Sequence, residues 1–197
     1  METILSRYVY LPEEQQLETS RLILRQWCES DLDPFAKLNA DPKVMQYFPA
    51  TLSYEQTAQM VERIKTHFDE YGFGLWAVEL KEDAQFVGFI GLAVPRFTAY
   101  FTPCIEIGWR LAVPFWNQGY ASEGAQAALE FGFNECNLDE VVSFTVPANR
   151  ASRRVMEKIG MSYIDNFDHP ALEDGDPLKR HVLYRFCKTD WDARQPN

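Results

Sequence analysis

Hydrophobic and polar positions alternate most cleanly between Ile105 and Leu111, where Ile105, Ile107, Trp109 and Leu111 interleave with Glu106, Gly108 and Arg110. A period of two predicts a strand with two distinct faces. Val113-Pro114 ends it, because proline has no N–H to give to a ladder. Gly119 then relaxes the backbone before a helix predicted from about Ala121 to Cys136. Ala121, Ala125, Ala128, Leu129, Gly132 and Cys136 form one stripe of that helix, small enough to pack closely on a sheet. A glycine-bearing loop feeding a helix N-terminus offers free N–H groups and a positive dipole end. Its natural guest is a phosphate or pyrophosphate.

The same reading places the other elements. Arg21–Trp27 alternates as a first strand. Ser30-Asp31 offers an N-cap for a short helix to about Asn39, ended by Asp41-Pro42. Ser53-Tyr-Glu-Gln56 is a capping box, opening a helix to about Tyr71 that buries Ala58, Val61, Ile64 and Phe68. Leu75–Leu80 and Gln85–Val94 read as a hairpin, and the second strand, apolar on both faces, belongs near the centre of the sheet. Beyond the predicted phosphate loop come a strand at Val141–Val146 and a helix from Arg150 to Ile159, stopped by Gly160. Strands at Met161–Phe167 and His181–Phe186 follow, separated by a loop rich in Pro, Asp and Gly. Residues 1–18 read as a leader and 187–197 as a polar tail. No repeat or linker divides the chain, so a single domain spanning residues 1–197 is expected, an α/β (α+β) fold around one sheet.

Composition narrows the function. At 197 residues and 46% apolar content, the chain can bury a substantial core. A net charge of -10 argues against nucleic acid or an anionic membrane as partner, since both need a basic face. An amine substrate suits that charge, although solubility alone also accounts for it. Cys28, Cys104, Cys136 and Cys187 have no zinc-ligand spacing, which predicts free thiols in a reducing compartment. No apolar run is long enough to span a bilayer and no signal-peptide pattern is present, so a cytoplasmic location is expected. Gly119 to Gly124 does not form GxGxxG, which removes a dinucleotide reading.

Three segments together carry a family resemblance: Glu106-Ile-Gly-Trp-Arg-Leu111, Phe115-Trp-Asn-Gln-Gly-Tyr-Ala-Ser-Glu123 and Asn149-Arg-Ala-Ser-Arg-Arg-Val-Met-Glu-Lys-Ile-Gly-Met161. With Thr19–Arg25, Asp168-His-Pro170 and His181–Tyr184, they resemble the GNAT superfamily of acetyl-CoA-dependent N-acetyltransferases, nearest its branch of ribosomal-protein N-terminal acetyltransferases. The resemblance covers roughly residues 19–186. It implies a mixed, mostly antiparallel central sheet of about seven strands flanked by about four helices. It also implies acetyl-CoA as co-substrate, no metal, a primary amine as acceptor, and a monomer or homodimer. The acceptor is a protein N-terminal α-amine, or a small molecule such as an amino acid, polyamine or drug. A noncatalytic acyl-CoA-binding module on the same fold is the alternative.

By the same resemblance, the CoA pyrophosphate sits on Trp116, Asn117, Gln118, Gly119, Tyr120, Ala121 and Ser122. Gly119 and Ala121 match the usual pattern; Trp116 departs from it, and Asn117 stands where a glycine is frequent. Contacts through backbone N–H groups tolerate both changes. The pantetheine arm is expected beside Leu111, Ala112 and Val113, with Asn149 bonding it and Arg153 and Arg154 near the 3′-phosphate.

Acyl transfer to an amine needs a neutral amine, alignment, stabilisation of an oxyanion and protonation of the leaving thiolate. Glu106 is the candidate base, on the face of Gly108, whose missing side chain leaves room for substrate. The competing reading is a solvent-facing or arginine-paired carboxylate. An α-amine titrates near 7.7–8.0 and a lysine near 10.4, so a lysine costs roughly 3.4 kcal/mol more to deprotonate at neutral pH. A weakly placed base therefore suits an N-terminal amine. Ser152 is the candidate acid, or else a helix cap or first-turn serine, and its spacing of three from Asn149 puts both on one side of the helix start. Trp76, Gly108 and His169 are the candidate substrate contacts, with His181 nearby. The acceptor pocket is expected from the first two helices and the loops around residues 72–76, 95–103 and 168–180.

Overall fold

The computed structural model describes residues 16–194, so residues 1–15 of the expected leader and 195–197 of the expected tail lie outside the described residues. One sheet contains the strands β1 (Leu17–Glu18), β2 (Leu22–Arg25), β3 (Leu75–Leu80), β4 (Phe86–Ala93), β5 (Glu106–Leu111), β6 (Glu140–Thr145), β7 (Ser162–Asp168) and β8 (Arg180–Cys187), in the order β1-β2-β3-β4-β5-β6-β8-β7. Every pairing is antiparallel except β5 with β6. The helices are α1 (Leu32–Ala40), α2 (Tyr54–Tyr71), α3 (Tyr120–Asn134), α4 (Arg150–Ile159) and α5 (Lys188–Asp192). The mixed, mostly antiparallel sheet is as the resemblance implies. The strand and helix beyond the expected counts lie at the two ends, in β1 and α5.

Local chemistry sets these boundaries. Ser53 Oγ accepts the Gln56 N–H at 3.2 Å, and Gln56 Oε1 accepts the Ser53 N–H at 2.8 Å, so the capping box forms as read. Gly72 ends α2 with φ 74, in the left-handed region that glycine enters freely. The buried face of α2 is Thr57, Val61, Ile64 and Phe68. Thr57 takes the place the apolar pattern assigned to Ala58, because its hydroxyl accepts a hydrogen bond from Asn39, itself fully buried at the end of α1. As its apolar run predicts, β4 is central, buried from Val87 to Leu92.

The sheet's two faces are distinct. Trp76, Ile90 and Trp109 are matched in register across β3, β4 and β5, and that row faces α3. A side chain on Gly124 of α3 would lie 2.4 Å from Ile90 Cδ1, so the glycine is what lets the helix sit this close. Glu106, Gly108 and Arg110 lie on the opposite face, shared by Phe89 and covered by α1 through the Phe35–Phe89 edge contact at 6.0 Å.

The stretch after Cys187, read as a polar tail, is partly structural. Trp191 of α5 is 3% exposed, stacks on Phe133 with ring centroids 5.4 Å apart, and donates Nε1–H to Asn134 Oδ1 at 3.2 Å. We expect Trp191→Ala to destabilise the fold by about 3–5 kcal/mol in urea unfolding. A loss below about 1 kcal/mol would show that α5 does not belong to the core.

Candidate functional site

Strands β5 and β6 share a single register pair, Glu106 with Val142, and then part. The Val142 N–H bonds the Ile105 carbonyl at 2.8 Å, and Ser143 Oγ–H bonds the Ile107 carbonyl at 2.9 Å. Since alternate residues share an edge, Trp109 and Leu111 also turn their N–H and C=O groups toward the gap, where Trp116 Nε1–H already bonds the Leu111 carbonyl at 2.7 Å. Past Ile107, no β6 residue pairs with them. The gap opens a cavity of about 890 Å³, toward the upper end of the ~300–1,000 Å³ typical of small-molecule sites. Its walls come from both faces of the sheet: Glu106, Gly108 and Arg110 from one, Ile107, Trp109 and Leu111 from the other.

At one end lies the predicted phosphate loop. Val113–Phe115 makes a 3-10 turn, and Asn117 and Gly119 take left-handed backbone angles, with φ 58 and φ 85. Gly119 is the N-cap of α3. The Glu123 N–H closes the first turn on the Gly119 carbonyl at 3.0 Å, so the N–H groups of Tyr120, Ala121 and Ser122 have no acceptor within the helix. Arg21 braces the loop from β2. It donates to the Gln118 carbonyl at 3.0 Å, pairs with Glu123 at 2.6 Å, and lies 4.4 Å over the Tyr120 ring. A Cβ on Gly119 would stand 3.4 Å from Arg21 Nη2 and 4.0 Å from Lys158 Nζ. Two cations from separate elements therefore converge on the helix end.

Of the expected CoA contacts, Leu111, Trp116, Asn117, Gly119, Tyr120, Ala121, Ser122, Asn149, Ser152 and Arg154 line the cavity. Four do not. Ala112 binds the Val87 carbonyl at 2.9 Å, and Val113 enters the 3-10 turn. Gln118 donates to the Pro114 carbonyl at 2.6 Å, stapling the loop. Arg153 points away from Arg154, because neighbouring helix positions differ by about 100°. It donates to Tyr184 Oη at 3.4 Å and to the Pro147 carbonyl at 3.2 Å. Lys158, one turn beyond Arg154, lines the cavity without an ion pair among the described residues. Its i+4 spacing from Arg154 is the signal that would have found it.

Asn149 caps α4, accepting the Ser152 N–H at 3.2 Å. Its amide donates to Thr145 Oγ1 at 3.0 Å and Ser152 Oγ at 3.1 Å, so both its hydrogens have partners within the protein. Ser152 is therefore not the cap. Its oxygen accepts from Asn149, which leaves its own proton free to point into the cavity.

Glu106 makes no ion pair among the described residues, which removes the arginine-paired reading. Burial pushes its carboxyl up to about 8. Its Oε1 lies 4.0 Å from where a Gly108 Cβ would be, so the missing side chain leaves open space before the carboxyl.

Trp76 does not line the cavity. It is fully buried on the α3 side of the sheet, with Phe131 at 5.4 Å and Phe68 at 5.5 Å, opposite the face of Glu106. His169 and His181 do line the cavity, 5.1 Å apart between ring centroids. Burial lowers both below the ordinary histidine value, and His181 lowers His169 further. Both rings are therefore neutral at pH 7, an aromatic wall joined to Phe97 and Phe144.

The acceptor-side wall differs from the expected one. Of the predicted loops, the one around 168–180 contributes His169, Ala171, Leu172 and Leu178. The stretch around 72–76 gives only Leu75, and that at 95–103 gives none. The segment between α1 and α2 supplies the opposite wall through Val44, Gln46, Tyr47, Phe48 and Pro49. Tyr47 Oη–H reaches across the cleft to the Ala148 carbonyl at 3.2 Å. No helix among the described residues is long and apolar enough to cross a membrane, and no cluster of metal-ligating side chains occurs among them.

Comparison with known proteins gives concordant matches. The family model described as acetyltransferase (GNAT) domain matches residues 21–162. An uncharacterized Bacillus subtilis protein, YkkB, is 38% identical over 75% of this chain and 86% of its own. The FsC-acetyl coenzyme A-N(2)-transacetylase of Aspergillus fumigatus is 31% identical over 89% of this chain and 77% of its own. A GNAT-family acetyltransferase from Bacillus anthracis has a crystal structure that superposes with a TM-score of 0.74 at 28% identity, covering 89% of this chain and 99% of that one.

The raised Glu106 carboxyl has a thermodynamic signature. Its folded value, about 8, lies above the ordinary 4.5, so between these values the folded state keeps a proton that the unfolded chain has lost. Stability then falls as pH rises through that window, and stops falling above it. Glu106→Gln removes the slope, so its stability advantage over the parent should grow from pH 5 to pH 8 in urea titrations. A constant difference across that range would mean that the carboxyl is not held neutral by burial.

Proposed function

The chain belongs to the GNAT acetyltransferase family and is an acetyl-CoA-dependent acetyltransferase, and we propose that it transfers the acetyl group directly to a primary amine with Glu106 as base and Ser152 as acid. The observation that carries this assignment is the pairing of an uncompensated, partly buried Glu106 with the helix-end phosphate loop in one cavity.

The geometry supports these roles. The unpaired N–H groups of Tyr120, Ala121 and Ser122, with Arg21 and Lys158 beside them and Arg154 in the same cavity, suit the charged phosphates of CoA. The open edge at Trp109 and Leu111 suits the amide groups of the pantetheine arm, which can bond there as a strand would. The acetyl thioester then lies between the two parted strands. The acceptor enters from the face of Gly108, and Glu106 takes the amine proton as the nitrogen attacks the thioester carbon. Ser152 Oγ–H donates to the departing sulfur, and Asn149 aims that hydroxyl. Water exchange restores the two protons.

The Glu106 value of about 8 matches the α-amine range near 7.7–8.0 better than that of a lysine, and this supports a protein N-terminal α-amine as acceptor. A small-molecule amine is the second reading, supported by the Aspergillus relative whose name specifies an N(2) position on FsC.

Release of free CoA thiol from acetyl-CoA, with a panel of peptide and small-molecule amines, tests the activity; CoA binding by calorimetry is measured in parallel. We expect Glu106→Gln to lower turnover by about 100-fold or more at pH 7 with CoA affinity nearly unchanged. Ser152→Ala should cost less, about tenfold, since a thiolate leaves readily. Gly119→Val should weaken CoA binding severely, because a branched side chain at φ 85 is strained and crowds Arg21. CoA binding without turnover of any amine would identify a noncatalytic module, and full activity in Glu106→Gln would remove it as base.

A further inference from the structure

Arg110 is a cation in the acceptor half of the cavity that the transfer chemistry leaves without a task. It shares the Glu106 face of β5, four residues further along, and lines the same cavity. No carboxylate among the described residues pairs with it, although the chain carries a net charge of -10. Its polar contacts are neutral: Nη1 donates to Asn39 Oδ1 at 2.7 Å, and Nε is buried with no partner. Phe48 lies 4.2 Å from its guanidinium carbon and Phe89 5.3 Å, so two rings hold the plane from apolar ground. Burial lowers its value to about 10, since the Asn39 bond and the two rings replace only part of its lost hydration.

The guanidinium is also held in place. Asn39 is fully buried, and its amide donates to Thr57 Oγ1, so α2, α1 and β5 are joined by one polar chain ending at Arg110. A buried ion lacking a counter-charge costs several kcal/mol, and a planar fork with free donors matches a carboxylate. Phe48, 40% exposed, stands over it at the cavity mouth between α1 and α2.

Resting on the acetyltransferase reading above, we propose that the acceptor amine carries a carboxylate that Arg110 binds while Glu106 takes the proton from its nitrogen. The spacing sets its length. Four strand residues separate the two groups by roughly 13 Å at the backbone, so amine and carboxylate lie on the order of 10 Å apart. A free amino acid, with both groups on one carbon, cannot span them. A chain of about three extended residues does. A peptide carboxylate and the end of a long ω-amino acid present the same chemistry.

The test compares acids with their neutral amides. Trialanine and trialanine amide form one pair, aminooctanoate and aminooctanamide the other, each assayed by CoA thiol release with the full-length protein and with Arg110→Met and Arg110→Lys. The parent should prefer the acid by about tenfold or more in kcat/KM, mainly through KM. Arg110→Met should abolish that preference, and Arg110→Lys should restore part of it. Which pair shows the larger preference distinguishes a peptide from a small-molecule source. Equal use of acid and amide by the parent, a preference surviving in Arg110→Met, or no turnover of either acid would overturn the proposal. The parent ratio decides the matter even if Arg110→Met fails to fold. The acetyltransferase reading is judged separately, by CoA binding and turnover of neutral amines.

Discussion

Two parallel strands that share only the Glu106–Val142 pair leave inner edges without a ladder, and the site is arranged around that gap. The β5 edge is continuous with the turn that becomes the N-terminus of α3, so the open strand and the free helix N–H groups face one space. The β6 edge runs on to the Asn149 cap of α4. Each side of the gap thus ends in a helix start. One start is left bare of side-chain caps, while the other is capped by its own asparagine. That asymmetry suits a ligand with one charged and one neutral half.

Charge is distributed by the same logic. The protein is acidic as a whole, yet Arg21 and Lys158 converge on the bare helix end and Arg154 lines the same cavity, and of the three only Arg21 has a carboxylate partner. On the acceptor side, Glu106 and Arg110 are both covered and both unpaired, and burial moves each toward its neutral form. Four residues apart on one strand face, they are too distant to neutralise each other. Separating them conserves a base and a cation in one pocket, which a direct ion pair would have cancelled.

The strand at residues 106–111, the loop and the helix starts were legible because each rests on local rules: period-two alternation, proline and glycine placement, and cap residues at fixed offsets. The faces of the sheet were not. Trp76 looks like any strand tryptophan, and only its register with Ile90 and Trp109 shows that it faces α3. Arg153 and Arg154 are equivalent as sequence neighbours, but α4 turns one toward Tyr184 and the other into the cavity. The wall from residues 44 to 49 has no periodic signal at all, since it is irregular chain held by tertiary contacts such as the Tyr47–Ala148 bond. The leader and tail hid β1 and Trp191 because elements of so few residues are fixed by their neighbours and not by their own propensity.

The edge at Trp109, which β6 leaves without a partner, has a consequence for the protein as a material. Exposed on an outer strand, such groups would recruit another chain; here they lie between β5 and β6, within the cavity. A ligand lying there completes the hydrogen bonding of the sheet itself, joining its two halves. Occupancy and folding are then linked by mass action. Any ligand bound only by the folded state would thereby raise its stability.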